Sequence, residues 1–154
     1  MINFLEGVGE WFGRQTSMRI NWKNNDQLVL KDRTFGSVIF AVIGLFLPSL
    51  RSYARPKTST VDRWKHEISI RRLKVGPRSY SVTFSFDVIE AVDLYPYEVF
   101  TALGSAKVWE VRLLLPRSDW KEIEICRRGS EDAQLRVATA LSNAMDKNMT
   151  RTSE

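Results

Sequence analysis

The sequence predicts an α+β protein: a mainly antiparallel sheet or partly open barrel closed by a C-terminal helix, preceded by an N-terminal amphipathic helix and a hydrophobic membrane segment. Three observations carry this expectation. Short stretches alternating apolar with polar residues recur from Ile20 to Cys126, one capped helical stripe follows them, and the seventeen residues from Thr34 to Leu50 carry no charge. The chain has 154 residues, of which 44% are hydrophobic and 27% charged, a composition that supports one folded domain and argues against disorder.

Residues 1–16 are expected to form an amphipathic interfacial helix. Met1, Phe4, Leu5, Val8, Trp11 and Phe12 recur at spacings of three and four, with Asn3, Glu6 and Glu10 opposite. Gly7, Gly9 and Gly13 each cost roughly 1 kcal/mol of helix propensity relative to Ala, so the helix needs a surface to form on. That surface is either a membrane or the domain's own core. Residues 17–33 read as a β-hairpin, because Ile20 and Trp22, then Leu28 and Leu30, alternate with polar residues around Asn24-Asn25-Asp26.

Residues 34–53 form the hydrophobic segment, with Val38, Ile39, Phe40, Val42, Ile43, Leu45, Phe46 and Leu47 as its membrane-contacting residues. As a helix, Thr34 to Leu50 covers about 25 Å, at the lower edge of a hydrocarbon core of roughly 30 Å. Three placements are compatible with it: a single span, untilted or extended through Ser52 and Tyr53; a shallow, re-entrant or hairpin-like insertion; and a buried core element of a soluble domain. Cations flank both sides equally, so the positive-inside rule sets no orientation. The segment starts too late for an ordinary signal peptide and is expected to remain in the mature protein.

Residues 54–63, basic and proline-containing, read as a linker. From 64 to 147 the pattern is that of the folded domain. Trp64, His66, Ile68 and Ile70 share one face of a strand; Gly76-Pro77 turns the chain; Tyr80, Val82, Phe84 and Phe86 alternate with Ser and Thr. Further strands are expected at 88–94, 108–115 and 123–126, the last placing Cys126 on the face opposite Ile123 and Ile125. A helix follows, with Ser130 as N-cap, Glu131 and Asp132 in its first turn, and Leu135, Ala138, Leu141 and Met145 as its apolar face. Residues 148–154 have no pattern and are expected to fray.

The run DWKEIEICRRGSEDAQLRVATALSNAMD, a final strand, a short Gly-Ser turn and a closing helix, resembles the end of pleckstrin-homology-like (PH-like) domains. Placed behind a hydrophobic segment, residues 64–147 are similar to bacterial membrane-anchored PH-like proteins, although those carry a pair of hydrophobic helices and this chain has one short run. The resemblance implies a mainly antiparallel sheet or partly open barrel closed by the C-terminal helix. It does not fix a function, because the superfold hosts lipid binders, peptide binders and structural modules.

Catalytic chemistry is poorly supplied, and no enzymatic activity is expected. His66 is the only histidine, Cys126 is the only cysteine, and no phosphate loop, dinucleotide fingerprint, nucleophile elbow or HExxH occurs. No cofactor or metal is expected. A lone cysteine forms no internal disulfide, which points to a reducing cytoplasm as the compartment the domain faces.

The net charge of +5 comes from dispersed Lys and Arg, a surface attracted to anionic lipid, nucleic acid or an acidic protein. Arg51, Arg55 and Lys57 directly follow the apolar run, and Arg71, Arg72, Lys74 and Arg78 fall in one hairpin. These seven are the candidates for an anionic ligand. Phosphoinositide-binding PH-like domains use basic residues on an early hairpin, a positional likeness only. Tyr95, Tyr97 and Phe100, in LYPYEVF, are the candidate anchors of a protein interface. The sequence therefore points to a membrane-associated accessory or scaffold subunit of a larger membrane protein assembly. The alternatives are a peripheral binder of anionic headgroups and, with Tyr80, Phe84 and Phe86 as a stacking platform, a nucleic-acid binder.

Overall fold

Period-two alternation builds the larger of two sheets. The computed structural model describes residues 18–31, 57–72, 80–101 and 104–152. The expected N-terminal helix (1–16) and hydrophobic segment (34–53) lie outside the described residues. β1 (Arg19–Asn24), β2 (Gln27–Lys31), β3 (Lys57–Asp62), β4 (Glu67–Arg72) and β5 (Tyr80–Ser85) form an antiparallel five-stranded meander in that order. Directly paired residues share a face. One cross-strand row is thus Ile20, Leu30, Ser59, Ile70 and Val82, and another is Trp22, Leu28, Val61, Ile68 and Phe84. These rows form the inner face, on which Leu28, Leu30, Val61 and Ile68 are fully buried.

β3 occupies most of the stretch read from sequence as a linker. Its Thr-Ser-Thr run is polar, yet Lys57, Ser59 and Val61 alternate inward and are buried. The following turn also corrects the expected strand beginning at Trp64. Residues 63–66 reverse the chain, with the Lys65 amide donating to Asp62 Oδ1 at 3.1 Å and His66 in the left-handed region at φ 53°. Trp64 and His66 are exposed in this turn and do not share the inner face with Ile68 and Ile70.

A 3₁₀ turn, Phe86–Val88, stands where the next strand was expected to begin; the amide of Asp87 donates to the Ser85 hydroxyl at its start. The second sheet has four strands in the order β8-β7-β6-β9. β6 (Ala91–Thr101), β7 (Gly104–Leu115) and β8 (Lys121–Gly129) are antiparallel neighbours. Helix α1 (Glu131–Met145) crosses this sheet and delivers β9 (Asn148–Arg151) parallel to β6. The described strands thus form two separate sheets and not a closed barrel.

β9 corrects the expectation of a fraying tail. Asp93, 4% exposed on β6, accepts hydrogen bonds from the hydroxyls of Thr150 (2.8 Å) and Thr152 (3.0 Å), which hold the strand in register. Sequence patterning misses it because β9 is short and exposed throughout.

Helix α1 buries Ala133, Gln134, Val137, Ala138, Leu141, Ala144 and Met145, and packs on β6 to β9 while also touching β2 and β3. Leu135 is not on this face. It is 37% exposed, and the buried stripe runs instead through Ala133, Val137, Ala138, Leu141, Ala144 and Met145. Gln134 packs closely on the end of β8: a Cβ at Gly129 would stand 2.4 Å from its Nε2, so a larger residue there requires the Gln134 amide to move. The bulge in β8 explains another difference. Val111 pairs with Cys126 and Arg112 with Glu124, so Ile125 is an extra residue and both Ile125 and Cys126 turn inward, 0% and 1% exposed. Cys126 is therefore a core residue.

Candidate functional surface

The register gathers five strand ends of the larger sheet at one end, while β5 leaves toward the second sheet from the opposite end at Ser85. Arg19 starts β1, Lys31 ends β2, Lys57 starts β3, Arg72 ends β4 and Tyr80 starts β5; the pairs Arg19–Lys31, Lys31–Thr58, Lys57–Arg72 and Arg72–Tyr80 set them side by side. Residues 1–17, 32–56 and 73–79 all join the described strands there. The opposite end carries the tight turns at Asn25-Asp26 and 63–66.

Charge differs between these ends. One outer-face row at the exit end reads Arg19, Lys31, Thr58, Arg71 and Ser81, with all three cations exposed. Among the described residues no salt bridge joins any of the three to a carboxylate. The far end mixes signs. Asp26, Asp62, Glu67 and Asp87 stand beside Arg63 and Lys65, Lys65 approaching Glu67 at 3.9 Å. There the Gln27 amide, donating to Asp62 at 2.9 Å, holds that carboxyl below its ordinary pKa, and the Lys65 backbone N–H adds to the effect.

The structure separates the sequence-predicted cations. Arg71 is exposed and Arg72 half-buried at the exit end, while Arg51, Arg55, Lys74 and Arg78 lie outside the described residues. Lys57 is a correction: it is 2% exposed and its ammonium is ion-paired with Glu124 of β8, so it bridges the two sheets instead of facing a ligand. Its neighbourhood holds a second pair, Arg112 Nε donating to Glu110 Oε1 at 2.8 Å. Burial, and then the charge of Glu124, push the Glu110 carboxyl above its ordinary pKa despite Arg112. For Arg112, burial works against the charged form, but Glu110, Glu122 and Tyr95 together outweigh it and raise its pKa.

Of the expected interface aromatics, Tyr95 is half-buried with the Arg112 guanidinium 4.0 Å from its ring centroid, so one face is covered from within the protein. The side chains of Tyr97 and Phe100 lie outside the described residues. The membrane-contact residues Phe4, Leu5, Val8, Trp11, Phe12, Val38, Ile39, Phe40, Val42, Ile43, Leu45, Phe46 and Leu47 also lie outside them. The aromatic platform considered for nucleic acid is not presented: Phe84 and Phe86 are 7% and 6% exposed in the core, leaving only Tyr80 outside.

Sequence reasoning missed two surfaces. Arg19 and Lys31 are symmetric about Asn25, so counting outward from the hairpin turn was the available signal. The other surface is apolar. Ile20 and Trp22 continue the inner face beyond Leu30 and Leu28 yet are 38% and 45% exposed, beside a groove of about 500 Å³ lined by Met18, Arg19, Ala133, Arg136 and Val137. Trp120, half-exposed, adds an aromatic ledge along β5, its ring centroid 6.5 Å from that of Tyr80 and 6.4 Å from that of Phe84.

The His66 ring meets Phe86 edge-on, their centroids 5.6 Å apart. Among the described residues no group of His, Cys, Asp or Glu is placed to hold a metal ion, and no helix is long and apolar enough to cross a membrane. Comparisons with protein-family models, with curated proteins and with solved structures find no match to this chain.

Proposed function

We propose that this chain is a non-enzymatic accessory or scaffold subunit of a membrane protein complex, with its β-rich domain attached to the membrane through the exit end of the larger sheet and facing the cytoplasm. The observation that carries the reading is convergence: the apolar stripe of 1–16, the uncharged run of 34–50 and the basic connection with Lys74 and Arg78 all leave from adjacent strand ends. A domain joined to a bilayer at two places on one edge is thereby held in one orientation. The order of meander, three further antiparallel strands and closing helix is compatible with a PH-like arrangement, and that finer assignment forms part of the proposal. Ile20 and Trp22 add support for a protein partner, because an incompletely covered inner face with a tryptophan at its rim is the surface a neighbouring subunit would complete.

Extraction of the native membrane in mild detergent, followed by size measurement and mass spectrometry, tests the reading. Stoichiometric comigration with a larger membrane assembly is the expected result. A monodisperse chain without partners contradicts the accessory role.

A further inference from the structure

We propose that the outer face of the larger sheet, through Arg19, Lys31 and Arg71, rests on a bilayer containing anionic lipid; the inference rests on the membrane reading above and specifies the lipid chemistry and the side of the sheet that meets it. Three features of the row converge on this partner. Arg19 and Lys31 are direct cross-strand neighbours, a placement in which like charges repel. Arg71 lies in the same row, with only Thr58 between it and Lys31, and all three cations are exposed. No described carboxylate offsets them, although the far end of the same sheet is supplied with four.

Among the described residues, charge segregated in this way sets three cations together at one end of the sheet with no carboxylate ion-paired to them. An array of phosphate groups offsets their charge, and the row lies at the end where the apolar run leaves the sheet. A bilayer surface is a plane of such groups, and the row is a nearly linear set of cations across adjacent strands, with Ser81 and Thr58 hydroxyls between and beside them as hydrogen-bond donors. Arg72 and Tyr80, one position nearer the exits, project from the opposite face, so the outer row alone makes this contact. The attraction is long-ranged and screened by salt, which distinguishes it from apolar insertion.

The test uses the full chain reconstituted with phosphatidylcholine vesicles, with or without phosphatidylglycerol. A fluorophore is placed at Ser81→Cys in the row or at Ser85→Cys on the same face toward the far end, and a quencher is carried on the lipid headgroups. Cys126 is buried and takes no label. Quenching at position 81 should appear with phosphatidylglycerol, reverse in high salt and exceed that at 85. It should be lost in the Arg19→Gln/Lys31→Gln/Arg71→Gln variant, each neutralised cation weakening the docked state about fivefold and all three on the order of a hundredfold. Unchanged circular dichroism of the variant excludes misfolding. A chain that stays with the vesicles but shows equal quenching in both lipids overturns the inference and leaves the membrane reading standing. Binding only to phosphatidylglycerol vesicles, with the same three-cation dependence, supports the inference while removing the apolar anchor. Absence from both kinds of vesicle overturns both, whereas transfer of the three-cation dependence to an oligonucleotide overturns the inference alone.

Discussion

Leu141→Ala and Leu135→Ala should separate two residues that look equivalent on a helical wheel. Leu141 is fully buried where α1 meets both sheets, whereas Leu135 is 37% exposed on the other side of the helix. Truncating Leu141 removes three buried carbon groups. At about 0.8 kcal/mol each, the transfer loss is roughly 2.4 kcal/mol, and the cavity left in a close-packed site raises the expected cost to about 2–5 kcal/mol. Leu135→Ala keeps helix propensity and opens no enclosed cavity, so its cost should stay below about 1 kcal/mol. Urea denaturation of the full chain in mild detergent, followed by far-ultraviolet circular dichroism, reads both as shifts in midpoint at constant slope. Equal losses, or a larger loss at Leu135, would refute the helix orientation and with it the placement of α1 against the sheets.

Removing Lys57 should leave Glu124 without its cross-sheet partner. Lys57→Ala is expected to cost about 1–3 kcal/mol, less than a fully buried pair because Glu124 retains 26% exposure, and Lys57→Met/Glu124→Gln should recover much of it in the same denaturation assay. Asp93→Ala removes the acceptor of the Thr150 and Thr152 hydroxyls; hydrogen exchange at residues 148–152 should accelerate selectively, and unchanged protection there would show that β9 is held by other contacts. Glu110 gives a pH dependence of stated sign. Its folded pKa is raised, so the native state holds the extra proton between the ordinary value of 4.5 and the raised one, and its contribution to stability falls as pH rises through that window. Glu110→Gln should flatten this component of the stability–pH profile, and a profile of unchanged slope would place the titration elsewhere.

Elements whose physical signal is local were legible in the sequence. β4 and β5 announce themselves through Ile68-x-Ile70 and Val82-x-Phe84, and the hairpin through its Asn-Asn-Asp turn; α1 shows its start in Ser130, Glu131 and Asp132. What stayed hidden depends on partners distant in sequence. β3 is polar in composition, and Lys57, brought inward by the strand's alternation, finds its partner Glu124 only on the other sheet. Cys126 changes face through a bulge that no alternation rule anticipates, and β9 is a strand only by virtue of β6 and Asp93. The candidate surface was legible in part for the same reason. Arg71 and Arg72 were visible as a cluster, whereas the row that Arg71 alone completes with Arg19 and Lys31 exists only in the pairing register.

Attachment of the domain to a membrane is the claim on which the proposed function stands, and alkaline carbonate extraction addresses it most directly. Membranes carrying the full chain, or the chain lacking residues 34–50, are washed at high pH and separated by sedimentation. The full chain should stay with the membrane while the shortened chain is released, because the apolar run supplies the contact that survives loss of electrostatic attraction. Release of both chains alike would contradict the account.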